Sequence, residues 1–327
     1  MSVLSVRDLH VSYSTRGGPV PAVRGVGLDV ERGQVVGLAG ESGCGKSTIA
    51  AAILRLLPKD AEVRGQCLLD GEDILEMNWG RLRQTRWGEV SIIFQGALHG
   101  LNPVKRVGEQ IAEAIMIHDP KATEKTALAR AGELVEQVKL PARRTLDYPH
   151  ELSGGQKQRV MIAMALACDP KLVIADEPTT ALDVMVQAQV LNLMKDLQRD
   201  LGLSMLFITH DLSVLMEVCD RISVMYAGKI VEEAAAEELF KAPRHPYTKA
   251  LGAAFPEIGD LTYRGAPTGL GGDPPDPQSI PEGCSFHPRC PLVFERCPKE
   301  EPGLYPAGEG RKAACFLIED AKEAVSS

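Results

Sequence analysis

The 327-residue sequence predicts an α/β fold over residues 1–233 and a small, differently built domain over residues 234–327. Two apolar segments carry the first prediction. Val35–Ala39 is a short buried strand that leads through a glycine-punctuated loop into an apolar helix, and Leu172–Ala175 is a second buried strand. After Ala234 the chain becomes rich in Gly and Pro and contains four cysteines, which predicts that a different kind of structure begins there.

The composition indicates a folded protein that remains in the cytosol. The chain is 44% hydrophobic and 24% charged, and it has no uncharged apolar run of about 18 residues, the length that spans a membrane. Its N-terminus, MSVLSVRDLHVSY, alternates apolar and polar residues, which predicts a strand, and it lacks the basic and apolar regions of a signal peptide. A net charge of −8 without a long Lys/Arg run argues against binding to nucleic acid.

The loop after Val35–Ala39 has the pattern of a phosphate-binding loop. Residues 40–47, GESGCGKS, fit G-x-x-x-x-G-K-S/T between the strand and a helix predicted for Lys46–Leu57. The glycines let successive backbone N–H groups turn toward phosphate oxygens, where the helix N-terminus adds its positive dipole end. Lys46 would contact the β- and γ-phosphates, and the Ser47 hydroxyl would ligate Mg²⁺. We therefore predict a nucleoside triphosphate site comprising Gly40, Ser42, Gly43, Gly45, Lys46, Ser47 and Thr48.

Two adjacent carboxylates, Asp176 and Glu177, follow the strand Leu172–Ala175. An enzyme with a phosphate-binding loop needs such residues, because Asp176 would hold the Mg²⁺ shell and Glu177 would act as general base on the attacking water. Acidic residues also commonly begin a loop after a strand. The phosphate-binding loop in the same chain favours the catalytic interpretation.

Residues 152–159, LSGGQKQR, lie between these two features. Alone, Ser-Gly-Gly predicts a flexible turn before a helix that runs from about Gln156 to Ala167. The whole string, however, resembles the signature motif LSGGQ of the ATP-binding cassette (ABC) ATPases. The resemblance covers about residues 1–233. It implies a P-loop NTPase fold with a RecA-like core, an antiparallel β subdomain and a helical subdomain over about residues 96–168.

The resemblance also implies roles for individual residues. Tyr13 would stack on adenine, Gln95 would sense Mg²⁺ and the γ-phosphate, and His210 would contact the γ-phosphate as the switch histidine. The catalytic residues so implied are Glu177, Gln95 and His210, and the Mg²⁺ ligands are Ser47, Gln95 and Asp176. In this family the signature loop of one subunit covers the ATP bound to another. The residues that would reach the partner's nucleotide are Ser153, Gly154, Gly155, Gln156 and the D-loop residue Asp183.

The single cassette in this chain implies that it works with other subunits. Helical patterns at residues 106–119 and 124–140 occupy the position at which ABC ATPases contact transmembrane subunits. The resemblance therefore implies a second ATPase subunit, often a related heterodimer partner, two transmembrane permease subunits and an extracytoplasmic substrate-binding protein. The expected location is the cytoplasmic face of the cell membrane, as a peripheral protein.

Two further segments resemble the ATPases of oligopeptide and dipeptide importers: residues 101–103, LNP, and residues 245–251, HPYTKAL. This resemblance implies uptake of di- and oligopeptides. Nickel, glutathione and oligosaccharide importers belong to the same subfamily and remain alternatives. A soluble ABC ATPase of ribosome or DNA metabolism is a more distant alternative, since the chain has neither a long heptad run nor a second phosphate-binding loop.

The four clustered cysteines have the spacing C-x5-C-x6-C-x17-C. Four thiolates suit either Zn²⁺ or an iron–sulfur cluster, and reduced thiols or disulfides are further alternatives. Structural zinc sites usually use two cysteines separated by about two to four residues, so these wider spacings favour the larger cluster. The segment also resembles the cysteine motif of dipeptide and oligopeptide permease ATPases, which implies a 4Fe-4S cluster held by Cys284, Cys290, Cys297 and Cys315.

Overall fold

The structure is a computed structural model that describes residues 2–96, 100–180, 182–253 and 271–319. Within them the chain forms two compact units. The first unit comprises the described residues of Met1–Leu4, Val30–Gln34 and Asp70–Phe207, and the second comprises those of Ser5–Asp29, Val35–Leu69 and Ile208–Ser327. Some predicted segments lie outside the described residues, namely 97–99 of the helical subdomain, 181 beside the D-loop, and 254–270 and 320–327 of the C-terminal domain.

The chain begins with three strands and then mixes strands with helices. The strands of the described residues are β1 (Ser2–Thr15), β2 (Gly18–Glu31), β3 (Val35–Ala39), β4 (Glu62–Leu69), β5 (Glu72–Asp73), β6 (Val90–Ile93), β7 (Leu172–Asp176), β8 (Ser204–Thr209), β9 (Arg221–Tyr226), β10 (Lys229–Ala235), β11 (Tyr305–Gly308) and β12 (Arg311–Ala313). Their helices are α1 (Lys46–Ile53), α2 (Trp79–Gly88), α3 (Val107–His118), α4 (Glu124–Gln137), α5 (Gly154–Ala165), α6 (Val184–Leu201), α7 (Leu212–Val218), α8 (Ala236–Lys241) and α9 (Pro246–Ala253). None of these helices is both long and apolar enough to cross a membrane.

The first unit contains the helical pair that the sequence predicts. Helices α3 and α4 pack against each other and against α5. Their buried faces are apolar at helical spacing, with Val107 and Ile111 on α3 and Ala131 and Leu134 on α4. The hydrophobic face of each helix therefore holds this part of the unit together.

The strands of the first unit bring two predicted site residues to one edge. Their order is β8-β7-β6, with the last two residues of β8 counted in the second unit. Strands β6 and β7 are parallel, with Val90 opposite Leu172, and every residue of β7 is buried. Because the carboxyl ends of parallel strands meet at the same edge of a sheet, Asp176 at the end of β7 and Gln95 just after β6 lie at the same edge.

In the second unit, strands run in the order β11-β12-β10-β9-β3. Strand β3 is buried throughout and pairs with β9 in parallel, whereas β9, β10, β12 and β11 pair in antiparallel fashion. The predicted terminal hairpin is confirmed, since β9 and β10 turn at Ala227 and Gly228 with φ of 46° and 83°. The C-terminal extension adds β12 to this sheet by pairing Ala313 with Glu232.

Two helices have ends that differ from the sequence predictions. Helix α1 ends at Ile53 and not at Leu57, because Arg55 adopts a left-handed conformation and its neighbour's N–H, at Leu56, bonds back to the Ala51 carbonyl. Helix α5 already begins at Gly154, since Ser153 caps it: its hydroxyl accepts a hydrogen bond from the Gln156 N–H.

Candidate functional site

The predicted phosphate-binding loop lies in the second unit between β3 and α1. Gly40, Gly43 and Gly45 have positive φ values of 150°, 83° and 104°. A Cβ atom on Gly40 would lie 2.3 Å from the Met225 carbonyl oxygen, and one on Gly45 would lie 2.2 Å from that of Ala22. Only glycine fits both the backbone conformation and the space at these two positions. The loop is thus packed closely against neighbouring backbone.

Lys46 makes the interior of this loop suitable for an anion. Its side chain is only 5% exposed, and its Nζ donates to the carbonyl oxygens of Gly40, at 2.7 Å, and Glu41, at 3.0 Å. No carboxylate of the described residues pairs with this ammonium group. A buried cation that has only neutral acceptors gains from a bound anion. The residues present therefore fit a phosphate group.

Tyr13, the residue predicted to stack on adenine, contacts the start of α1. Its hydroxyl lies 3.2 Å from Thr48 Oγ1, and both side chains are partly buried. The structure thus brings together a residue of β1 and a residue in the first turn of α1 that are 35 positions apart. The Tyr13 ring and the phosphate-binding loop therefore belong to the same unit.

In the first unit, Gln95 and Glu177 form a hydrogen-bonded pair. Gln95 Nε2 and Thr180 Oγ1 each donate to Glu177 Oε2, both at 2.9 Å. Glu177 has a positive φ of 46°, which is unusual for a residue with a side chain, and Asp176 before it is 6% exposed. The carboxylate of Glu177 is therefore oriented by two donors. The sequence analysis did not include Thr180 among the site residues, although it lies only three positions after Glu177.

The signature residues form the beginning of α5. Ser153 and Gln156 cap each other, with the Ser153 N–H donating to Gln156 Oε1 at 3.1 Å. A Cβ atom on Gly155 would lie 2.4 Å from Val186 Cγ1, so α5 approaches α6 closely at this glycine. Asp183 caps α6, because its carboxylate accepts a hydrogen bond from the Val186 N–H at 3.0 Å.

His210 follows β8 directly and is exposed. The next residue, Asp211, caps α7 through hydrogen bonds from the backbone N–H groups of Ser213 and Val214. The histidine is thus presented at the junction of a buried strand and a short helix. Its predicted contact with a γ-phosphate stays a prediction.

The four C-terminal cysteines converge on one small cavity in the second unit. The remaining wall of this cavity is largely apolar and includes Phe286, Leu292, Phe294 and Phe316. Burial raises the pKa of Cys284 to about 11 and also raises the pKa of Cys290. None of the cysteines forms a disulfide with a described residue. This convergence of Cys284, Cys290, Cys297 and Cys315 agrees with their predicted grouping.

The predicted metal-binding domain itself is not confirmed. Among the described residues, no group of three or more His, Cys, Asp or Glu side chains is placed so as to hold a metal ion. The four thiols share a cavity, but no three of them are placed so as to hold a metal ion.

Comparison with known proteins identifies the family. A family model described as "ABC transporter" matches residues 23–180, and one described as "Oligopeptide/dipeptide transporter, C-terminal region" matches residues 231–297. The probable peptide ABC transporter ATP-binding protein y4tR of Sinorhizobium fredii is 45% identical over 96% of this chain and 94% of its own length. The chain belongs to the oligopeptide/dipeptide family of ABC transporter ATP-binding proteins. The family that the sequence predicts is thus confirmed.

Other similar proteins extend this result. The oligopeptide transport ATP-binding protein OppD of Mycobacterium tuberculosis is 45% identical over 97% of this chain, but the chain spans only 52% of that relative. A dimeric structure of the ATP-binding cassette MJ0796 bound to ADP and Pi superposes with a TM-score of 0.64 at 28% identity, covering 71% of this chain and 98% of that one. The ABC cassette fold predicted from the sequence is thus confirmed.

Proposed function

We propose that this chain hydrolyses ATP to drive the import of di- and oligopeptides through a membrane transporter. The observation that carries the proposal is the glycine-constrained loop that surrounds the buried ammonium of Lys46 at the start of α1. The relatives that match nearly the whole chain, named as peptide transport ATP-binding proteins, supply the transported class.

In the proposed reaction, a water oxygen attacks the γ-phosphorus, the bond to the ADP oxygen breaks, and Glu177 accepts the proton of the water. The backbone N–H groups of the loop and Lys46 would bind the phosphates. Ser47, Gln95 and Asp176 would hold Mg²⁺, which would supply positive charge to the β- and γ-phosphate oxygens. Gln95 and Thr180 would orient the Glu177 carboxylate, and His210 would contact the γ-phosphate.

We propose that ATP is bound between two cassettes. The signature residues Ser153–Gln156 and the D-loop residue Asp183 would reach the ATP on the partner's phosphate-binding loop. The dimeric state of the similar cassette bound to ADP and Pi supports this arrangement. The partner would be a second, related ATPase subunit. Two permease subunits and an extracytoplasmic binding protein would complete the transporter at the cytoplasmic face of the membrane.

The transported substrate is tested by reconstitution with the permease subunits and binding protein. We expect ATP-dependent uptake of labelled di- and oligopeptides into proteoliposomes, and no uptake with Lys46→Ala. Uptake of nickel, glutathione or an oligosaccharide instead of peptides would establish one of the alternative importers. ATPase activity that responds to ribosomes or DNA, and no association with permeases, would contradict the transport function.

We further propose that Cys284, Cys290, Cys297 and Cys315 hold a 4Fe-4S cluster, with Zn²⁺ as the alternative. Their common, largely apolar cavity supports a cluster, and a cluster does not require the close approach of ligands that a single ion needs. Burial raises the pKa of Cys284 and of Cys290, so a bound cationic centre would be required to stabilise these two as thiolates. The bound cluster or ion would cross-link the C-terminal extension, which has few helices and strands of its own.

Metal analysis tests this assignment. After purification without oxygen, we expect about four irons and four sulfides per chain. Cys290→Ser should lose most of this iron, whereas Cys168→Ser, a partly buried cysteine outside the cavity, should retain it. One zinc without iron would establish the alternative. A chain that contains neither metal would contradict both.

A further inference from the structure

The C-terminal extension contacts the phosphate-binding loop through one residue of that loop, Glu41. Arg289 Nη1 donates to Glu41 Oε2 at 2.7 Å, and Arg289 Nη2 donates to Glu41 Oε1 at 3.0 Å. This is the two-bond, fork-like pairing that only arginine makes with a carboxylate. The pair is largely removed from solvent, with side-chain exposures of 7% for Arg289 and 21% for Glu41.

A second residue after β10 holds the backbone of Glu41. The Glu41 N–H donates to the hydroxyl oxygen of Tyr247 at 3.0 Å, and Tyr247 is fully buried. On its other side, the Glu41 carbonyl oxygen accepts hydrogen bonds from Lys46 Nζ at 3.0 Å and from the Cys44 N–H at 3.3 Å. The backbone N–H, the carbonyl and the carboxylate of Glu41 are therefore all engaged, and the same residue touches both Lys46 and the extension.

The extension holds Arg289 rigidly. Arg289 Nε donates to the Gly271 carbonyl oxygen at 3.0 Å, and the Arg289 guanidinium carbon lies 5.9 Å from the centre of the Tyr226 ring. Tyr226 packs against Tyr247 and Phe286, with ring centres 4.6 Å and 5.2 Å away. The guanidinium is thus held by Gly271 of the extension and by Tyr226 at the end of β9, so little conformational entropy is lost when it pairs with Glu41.

The charge of Glu41 explains why the loop needs this contact. A carboxylate at the second position of a phosphate-binding loop repels the phosphates that the loop is shaped to bind. Arg289 neutralises the carboxylate, and because the pair is mostly buried, solvent and salt screen it only weakly. Without Arg289, the loop would carry an uncompensated negative charge beside Lys46.

We propose that Arg289 and Tyr247 are positioning residues for the ATP phosphates: through Glu41 they hold the phosphate-binding loop in shape and cancel its negative charge. The nucleotide affinity of the cassette then depends on the C-terminal extension. This inference rests on the proposed binding of ATP at Gly40–Thr48.

The test measures the dissociation constant of MgATP for the full-length chain by calorimetry. Arg289→Ala is expected to weaken binding roughly tenfold or more, because it leaves a buried carboxylate unpaired. Arg289→Lys should recover part of this loss, since it restores the charge but not the fork. Tyr247→Phe keeps the ring and removes only the acceptor of the Glu41 N–H, and it should weaken binding by about three- to tenfold.

A second substitution, which removes the negative charge of Glu41, tests whether Arg289 acts by neutralising that charge. Glu41→Gln in the wild-type background should tighten binding by a few-fold. Arg289→Ala combined with Glu41→Gln should bind much more tightly than Arg289→Ala alone, because no unpaired charge remains. A double variant that binds MgATP no better than Arg289→Ala alone would overturn the proposal.

Two control variants complete the experiment. Arg296→Ala removes an arginine of the same extension that pairs with Glu300 and Glu319 and stacks on the ring of Phe316, so the affinity of this variant for MgATP should equal that of wild type. Lys46→Ala tests the proposed function itself. If Lys46→Ala binds MgATP normally, the proposed site is wrong. If Lys46→Ala loses binding while Arg289→Ala and Arg289→Lys bind like wild type, the site is right and this inference is wrong.

Discussion

Replacing Glu177 by Gln is expected to lower the rate of ATP hydrolysis by about 10²–10⁴-fold while leaving ATP binding intact. The carboxylate that would accept the proton is oriented by Gln95 Nε2 and Thr180 Oγ1, both of which donate to its Oε2 atom. A glutamine keeps the shape of the side chain and presents one oxygen to these donors, but it accepts no proton from water at neutral pH. The change therefore removes the proposed base and keeps an acceptor for these two donors.

The measurement pairs phosphate release with equilibrium binding of MgATP. Glu136→Gln, the same isosteric change on the exposed face of α4, should leave both quantities unchanged. Hydrolysis near the wild-type rate in Glu177→Gln would assign the role of base to another group. Loss of MgATP binding in the same variant would instead indicate that the carboxylate shapes the site.

The second large effect is expected from Gly45→Ala, which should abolish measurable ATP binding and lower the thermal stability of the chain. The φ of 104° alone costs a residue with a side chain about 1–2 kcal/mol. The added methyl group would also lie 2.2 Å from the Ala22 carbonyl oxygen and 2.9 Å from Met225 Cε. Since a backbone carbonyl cannot rotate away like a side chain, the loop itself must move.

Gly71→Ala is the matched control for this substitution. Gly71 also has a positive φ, of 88°, but a Cβ atom there would meet none of the described atoms within 4 Å. It should therefore show the cost of the backbone conformation without the clash, and it should bind MgATP like wild type. An equal fall in Tm for the two variants, with ATP binding retained by Gly45→Ala, would show that the loop tolerates a side chain at this position.

The local motifs were predictable because each one depends on residues close together in the sequence. The loop Gly40–Lys46 needs a strand before it, glycines at fixed intervals and a helix after it, and all of these are visible in a few residues. The hairpin between β9 and β10 is equally local. The predicted ends of the helices were less accurate. Helix α1 ends at Ile53 because Arg55 takes a left-handed conformation, and the periodicity of Ala, Ile and Leu in this segment does not indicate that conformation.

The sequence by itself determined the chemistry of this protein: a phosphate-binding loop, a pair of carboxylates, an ABC signature and a group of four cysteines. The tertiary structure alone decided which distant residues contact these motifs. Gln95 meets Glu177 across 82 positions, and Glu41 meets Arg289 across 248. Such contacts depend on strand order in the sheets and on where the chain returns after β10, and the spacing of residues carries no record of either. For this reason the dependence of the phosphate-binding loop on the C-terminal extension emerges only from the folded chain.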